Sequence, residues 1–256
     1  MTVKKVKEIL GDKYLSKARG QNLLLDENIA KKFADLVSPA KDKKVLEIGP
    51  GLGIITKYLK NRGFEVTTVE IDTDFCRYLE NSGVKVVCED FLKIKLDCSF
   101  PEIAIGALPF SVSVPILKKI KDNRDKIKEW TFVLQKEVAE KFTSKPGSKS
   151  YSSLSILFNI IYNIKCEFEI KPEAFFPKPE VFSSVIKGTL KSNPIIEVDK
   201  AFEKFLKDIF RFKRKTLKNN LLDYNIEEVS LDLSRRAETL TKNEAVQLYR
   251  ECSRNY

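Results

Sequence analysis

The stretch Val45-Leu46-Glu47-Ile48-Gly49-Pro50-Gly51-Leu52-Gly53 constrains this chain more than any other. A short apolar run that reads as a buried strand passes straight into alternating glycines, and a helical pattern begins directly behind them at Ile54. Glycines at such a junction let the backbone turn sharply and approach a ligand that a Cβ would exclude. The helix N-terminus behind them presents N–H groups that favour a carboxylate or phosphate. The spacing is not the dinucleotide pattern G-x-G-x-x-G. Counted from Gly49, its third glycine would fall at residue 54, an isoleucine. G-x-G-x-G is instead the common pattern for S-adenosylmethionine.

The surrounding chain repeats the strand–helix alternation. Val66–Val69, Val84–Cys88, Ile103–Ile105 and Trp130–Leu134 read as further strands, and Ile54–Asn61, Thr73–Asn81 and Val114–Lys121 as the helices between them. Parallel strands joined by right-handed crossovers give a doubly wound sheet. Leu154–Ile164 and Val185–Leu190 read as an antiparallel pair at one sheet edge, with no helix between them. Strand signals stop near Asn193-Pro194, and the remainder reads as helical, with Thr241-Lys242-Asn243-Glu244 as a capping box for the last helix. The expected architecture is an α/β, class I Rossmann-like domain with a mostly parallel seven-stranded sheet over residues 1–192. A small all-helical domain over 193–256 completes it.

Two strand ends near the glycine loop carry acids. Glu70 follows the second strand, 21 residues after Gly49, where a carboxylate can accept both hydroxyls of a ribose. Asp90 follows the third and can accept from an adenine amine. Acids at successive strand ends beside a glycine loop predict one ligand crevice. The chain has no histidine, which removes His triads, His metal sites and imidazole bases. A net charge of +10 from 46 basic and 36 acidic residues favours a polyanionic partner. The five cysteines, at 76, 88, 98, 166 and 252, form no Cys-x-x-Cys pair and read as buried free thiols of a reducing compartment. No run reaches the ~18 apolar residues of a membrane span. The polar N-terminus is not a secretory signal. A cytoplasmic, monomeric protein is expected.

Ahead of the sheet, Asp26 is a good N-cap for a helix carrying Ile29, Phe33, Leu36 and Val37. The segment Gly20-Gln21-Asn22-Leu23-Leu24-Leu25-Asp26 also resembles the N-terminal signature of the ribosomal RNA adenine dimethyltransferase family, Gly-Gln-Asn-Phe-Leu followed by Asp, with Leu23 in place of Phe. Further matches run along the chain: Leu134–Ala139, Pro146-Gly147-Ser148-Lys149 with Tyr151, Phe175–Ser183, Lys213–Leu217 and Arg236-Ala237-Glu238 with Leu240. Ser152 stands where the family usually has glycine. The resemblance implies that Asn22, Leu24, Gly49, Gly51, Glu70, Asp90 and Ala107 hold S-adenosylmethionine. It also implies that Phe175 stacks on the target base.

One position departs from the family. After the fourth strand the family has Asn-Leu/Ile-Pro-Tyr/Phe, whereas this chain has Ala107-Leu108-Pro109-Phe110. An adenine amine is a poor nucleophile because its lone pair is delocalised into the ring. Two acceptors that hold both N–H groups can localise that pair and aim it at a sulfonium methyl. By the resemblance these are the Asn side-chain oxygen and the Pro carbonyl, while the aromatic residue stacks on the base. Pro109 and Phe110 remain, but the Ala107 side chain offers no acceptor, so reduced or abolished catalysis is expected.

Lys213, Arg214, Lys215 and Lys218 cluster in the C-terminal region, and Lys4, Lys5, Lys7, Lys13, Lys17 and Arg19 read as a flexible basic arm. The resemblance implies that these meet the phosphates of small-subunit ribosomal RNA in an immature 30S-type particle. The implied activity is dimethylation of adjacent adenosines near the 3′ end of that RNA, with a role in ribosome biogenesis. Three other readings stay open: a non-catalytic RNA-binding assembly factor, an adenine methylase of large-subunit RNA, and a mitochondrial relative with a transcription-factor role, for which an Arg-rich leader would be expected.

Overall fold

A computed structural model describes residues 3–10, 22–39 and 42–253. Helix α1 (Val3–Leu10) buries Val6 in a cluster with Leu52 and Phe75. Lys4 and Lys7 therefore sit on a packed helix instead of a flexible arm, while Lys13, Lys17 and Arg19 lie outside the described residues. The two-residue strand β1 (Leu23–Leu24) leads into α2 (Glu27–Ala34). Asp26 caps α2 as its position suggests: its Oδ1 accepts the N–H of Asn28 at 2.9 Å and of Ile29 at 3.0 Å.

The expected alternation follows closely. It comprises β2 (Lys44–Ile48), α3 (Ile54–Asn61), β3 (Glu65–Glu70), α4 (Thr73–Asn81), β4 (Lys85–Cys88), β5 (Ile103–Ala107), α5 (Ser113–Asp122) and β6 (Glu129–Gln135). Next come α6 (Lys136–Thr143), α7 (Ser153–Ile161), β7 (Tyr162–Ile170), β8 (Phe175–Phe176) and β9 (Ser183–Leu190). The seven-stranded sheet has the order β4-β3-β2-β5-β6-β9-β7. Strands β4, β3, β2, β5 and β6 run parallel to one another, and β9 runs antiparallel to β6. Central strands covered on both faces need nearly continuous apolar runs, as Ile103–Ile105 supplies and as Val45–Ile48 supplies apart from Glu47. Phe33, Ile55, Leu59, Val45 and Ile105 share one core cluster. Each such burial contributes about 1.5–3 kcal/mol.

Two further features differ from the sequence expectation within the first 190 residues. The segment Leu154–Ile161 is not a strand but lies within α7, and the edge strand begins only at Tyr162. An apolar run with neither period fits a helix buried all round as well as a buried strand. Here Ser155 settles the start, its Oγ accepting the Ser152 N–H at 3.0 Å. Second, the thiols are not all buried and free. Cys76 and Cys88 are disulfide-bonded, bringing α4 to the end of β4, whereas Cys98 and Cys166 are exposed. Spacing alone did not show that α4 folds back over β4.

The contacts divide the chain into two units, residues up to 139 with 165–189, and 140–164 with 190 onward. Residues 140–164, placed by the 192/193 boundary in the first domain, thus belong by their packing with the C-terminal helices. Those are α8 (Lys200–Ile209), α9 (Leu217–Asn220) and α10 (Lys242–Ser253). Phe202 and Phe205 of α8 pack on Tyr249 with ring centroids 5.0 and 5.2 Å away. The capping box of α10 forms as expected, Glu244 accepting the Thr241 N–H at 2.7 Å and donating its own to Thr241 Oγ1 at 3.2 Å.

Candidate cofactor and adenine site

From β2 the chain builds outward through β3 to β4, then crosses back to place β5 on the other side of β2. That reversal opens a crevice beyond the carboxyl ends of β2 and β5, the usual ligand position in a doubly wound sheet. Gly106 lets the two strand ends converge. A Cβ there would lie 2.3 Å from the Ile48 carbonyl oxygen. Gly51 has φ +55°, and a Cβ on it would meet Leu23 Cδ2 at 2.7 Å. The loop after β2 and the loop after β5 are thereby held against each other, with a Gly49 Cβ position 3.9 Å from Pro109 Cδ.

A cavity of about 380 Å³ fills this crevice. Asn22, Leu24, Gly49, Gly51, Glu70, Asp90, Ala107, Leu108, Pro109, Phe110 and Phe175 all line it, so residues chosen from separate motifs meet at one place. The two-stranded ladder of β1 and β8 explains part of that convergence. It pairs Leu24 with Phe175 and Leu23 with Phe176. Leu25 N–H then donates to the Ala174 carbonyl at 2.8 Å.

Glu70 is the electrostatic centre of the cavity. Its Oε1 accepts the N–H groups of Ile71 and Asp72, both at 2.9 Å, and its Oε2 accepts that of Gly51 at 3.1 Å. The carboxylate thus ties the end of β3 to the glycine loop. Burial raises its pKa above the ordinary value, against the three backbone N–H groups that favour the charged form. A carboxylate has about four acceptor positions, so room remains on Oε2 for an added donor. Behind the loop, Glu47 is wholly buried and accepts the Thr56 hydroxyl at 2.6 Å. Burial pushes its pKa up to about 8, so it stays protonated at neutral pH and adds no second charge beside Glu70.

Asp90 uses Oδ1 to accept the Leu92 N–H at 2.9 Å, which shapes the turn after β4. Lys119 of α5 holds the same turn from behind. Its ammonium donates to the carbonyls of Phe91 and Ile94 and lies 5.0 Å from the centre of the Phe91 ring. On the opposite wall, Pro109 closes a turn by accepting the Val112 N–H at 3.1 Å, leaving its carbonyl a second lone pair. Ala107 is the last residue of β5, paired with Val133 and half-buried at the cavity edge.

Sequence reasoning did not single out Ile71, Phe75, Phe91 or Leu92, which also line the cavity. Phe91 and Leu92 directly follow Asp90, and an apolar pair beside a strand-end acid was the available signal. Lys213, Arg214, Lys215 and Lys218 are not part of this cavity; they are exposed residues of the other unit.

A doubly wound sheet with a G-x-G-x-G loop at its switch point and an acid after each of the next two strands defines the class I methyltransferase architecture. Within that class, the chain belongs to the ribosomal RNA adenine dimethylase family, whose profile matches residues 14–254. This family uses S-adenosylmethionine. The chain is 36% identical to the ribosomal RNA small subunit methyltransferase A of Parabacteroides distasonis, over 91% of either chain. It is 38% identical to the protein of that name from Thermotoga maritima, over 94% of this chain and 88% of the relative. The fold is shared with a dimethyladenosine transferase from Plasmodium falciparum at a TM-score of 0.73 and 23% identity, covering 88% of this chain and 95% of that one. The 23S rRNA methyltransferase ErmE superposes with a TM-score of 0.72 at 23% identity, covering 90% and 99%.

Proposed function

We propose that this chain binds S-adenosylmethionine in the crevice between β2 and β5 and methylates adenine amines of small-subunit ribosomal RNA, in the cytoplasm, as a monomer acting on immature subunits. The observation that supports this most is the single cavity lined by both the glycine loop with Glu70 and the Leu108-Pro109-Phe110 turn. Its volume falls within the range of about 300–1,000 Å³ usual for small-molecule sites. The relatives named for small-subunit RNA support that choice of substrate.

The residues fit the cofactor. Gly51 brings bare backbone to the cavity wall where a Cβ would collide with Leu23, Glu70 offers an acceptor for a ribose hydroxyl, and Asp90 an acceptor for an exocyclic amine. S-adenosylmethionine, when bound, supplies an electrophilic sulfonium methyl. The Pro109 carbonyl accepts one N–H of the target amine and so turns its lone pair toward the methyl. Phe110 and Phe175 offer rings to hold the base, which must leave its stack to enter. No strong base is needed, because direct displacement depends chiefly on proximity and orientation. The amine nitrogen would take that methyl from the bound cofactor, which leaves as its thioether, while the amine proton would pass to solvent.

Lys119 acts as a positioning residue for the adenine side of the cofactor. Lys119→Met is expected to weaken S-adenosylmethionine binding by about three- to tenfold, the worth of one to two modest hydrogen bonds. Hydrogen exchange of residues 90–94 should quicken in the same protein. Calorimetry showing unchanged affinity, or exchange unchanged in that turn, refutes the role.

The substrate assignment is tested by salt. Reversing charge at Lys213, Arg214 and Lys215 is expected to weaken binding to undermethylated small subunits about tenfold at ~150 mM salt, and to flatten the dependence of log K on log salt by roughly three. Wild-type affinity that stays constant between ~50 and 200 mM salt would rule out phosphate contacts as the basis of docking.

A further inference from the structure

Phe212 stands in the basic turn between α8 and α9, in the run Arg211-Phe212-Lys213-Arg214-Lys215. A phenylalanine ring is ordinarily buried, yet this one is 52% exposed. The turn that carries it is firmly built. Asn220 grips the Phe212 backbone on both sides, its Oδ1 accepting the Phe212 N–H at 3.1 Å and its Nδ2 donating to the Phe212 carbonyl at 3.3 Å. The Lys215 N–H also donates to that carbonyl, at 2.9 Å. Phe210 on one side and Leu217 on the other are buried, so the turn is anchored at both ends. The fold therefore fixes the backbone and leaves the ring outside.

The surroundings of the ring are cationic. The Arg211 guanidinium lies over it, 5.2 Å from the centroid. Among the described residues, Lys213, Arg214, Lys215 and Lys218 enter no ion pair. The nearest acid on α8, Asp208, is engaged by Lys204 at 2.7 Å and by the Tyr224 hydroxyl at 2.7 Å. An aromatic ring with a guanidinium on it, among cations lacking carboxylate partners, matches what a single-stranded nucleic acid presents: a base face flanked by phosphates.

We propose that Phe212 is a stacking platform for one unpaired base of the RNA substrate, with Arg211 and the Lys213–Lys215 cations on the adjoining phosphates. This rests on the RNA-directed reading above and deepens it: the C-terminal unit engages an unpaired nucleotide as well as backbone charge. Stacking on an aromatic face is tolerant of base identity, so the contact favours RNA that is locally unpaired over any particular sequence.

The test uses the full chain and two probes, undermethylated small subunits and protein-free small-subunit ribosomal RNA, in filter binding at several salt concentrations. Phe212→Ala should weaken binding to both probes by about tenfold, the scale of one lost base stack. Its salt slope should match wild type, since no phosphate contact is lost. Phe212→Trp should restore affinity and Phe212→Leu should not, because leucine is apolar but has no ring face. The melting temperature should be the same in all of them. Unchanged affinity of Phe212→Ala overturns the proposal, as does equal weakening by Trp, or a lowered melting temperature, which would make the ring a packing element. Weakening on whole subunits but not on protein-free RNA also overturns it, in favour of a protein contact. A wild-type chain that binds neither probe would remove the RNA-directed reading itself.

Discussion

Ala107→Asn is expected to raise methyl transfer to undermethylated small-subunit RNA by about 10²–10³-fold, the effect of restoring one preorganised polar contact to a transition state, or about 3 kcal/mol. Residue 107 ends β5, with its backbone set by the ladder to Val133 and its side chain at the edge of the cavity. Ala107 lines the cavity and also packs against the core cluster that contains Phe175, so a longer amide is accommodated at the boundary between the two. In the proposed mechanism the Pro109 carbonyl offers one acceptor to the target amine, and the new Oδ1 would supply the second. A contact felt mainly in the transition state should change kcat far more than cofactor affinity. The assay is tritiated methyl transfer on the same subunits with both proteins. Equal turnover would mean that another group already supplies the acceptor. No turnover in either would favour a protein that binds RNA without modifying it.

The elements that carry this site were legible where each carried its own local signal. A strand running into glycines, or an acid at a strand end, needs only its neighbours to be read, and β2, β3 and β4 fell within a residue or two of expectation. Asp26 and Thr241 were legible for the same reason, since a cap is made by residues two or three positions away. What failed was whatever depends on distant partners. Leu154–Ile161 could pack as a strand or as an all-round buried helix, and its helical neighbours in the C-terminal unit decide the matter. The Cys76–Cys88 bond needs α4 to lie over β4. The β1–β8 ladder pairs residues 23 and 24 with 176 and 175, and nothing local in Leu23-Leu24 announces that strand. Phe212 was passed over as part of a charge run, because its significance lies in being exposed.

Glu70→Ala is expected to weaken S-adenosylmethionine binding by about 10- to 100-fold, as measured by calorimetry, since hydrogen bonds to a charged group contribute about 1.5–3 kcal/mol. The sequence suggests that Glu70 accepts both ribose hydroxyls. The geometry adds a second job, because the same carboxylate holds Gly51, Ile71 and Asp72 through their N–H groups. Removing it strips an acceptor from the ligand and also unties the glycine loop from the end of β3. Glu70→Gln separates the two effects. An amide keeps the shape, but one of its ends now donates where the carboxylate accepted, so at least one of the three N–H groups loses its partner. Binding by Glu70→Gln should fall between wild type and Glu70→Ala. Acid should act in the same direction. Burial has lifted the Glu70 pKa above 4.5, so protonation removes acceptor capacity, and wild-type affinity should fall as the pH drops through that raised value. Glu70→Ala, which has no such proton to gain, should lack that part of the pH dependence. If Glu70→Ala binds as tightly as wild type, the ribose assignment is wrong and the carboxylate serves only the loop.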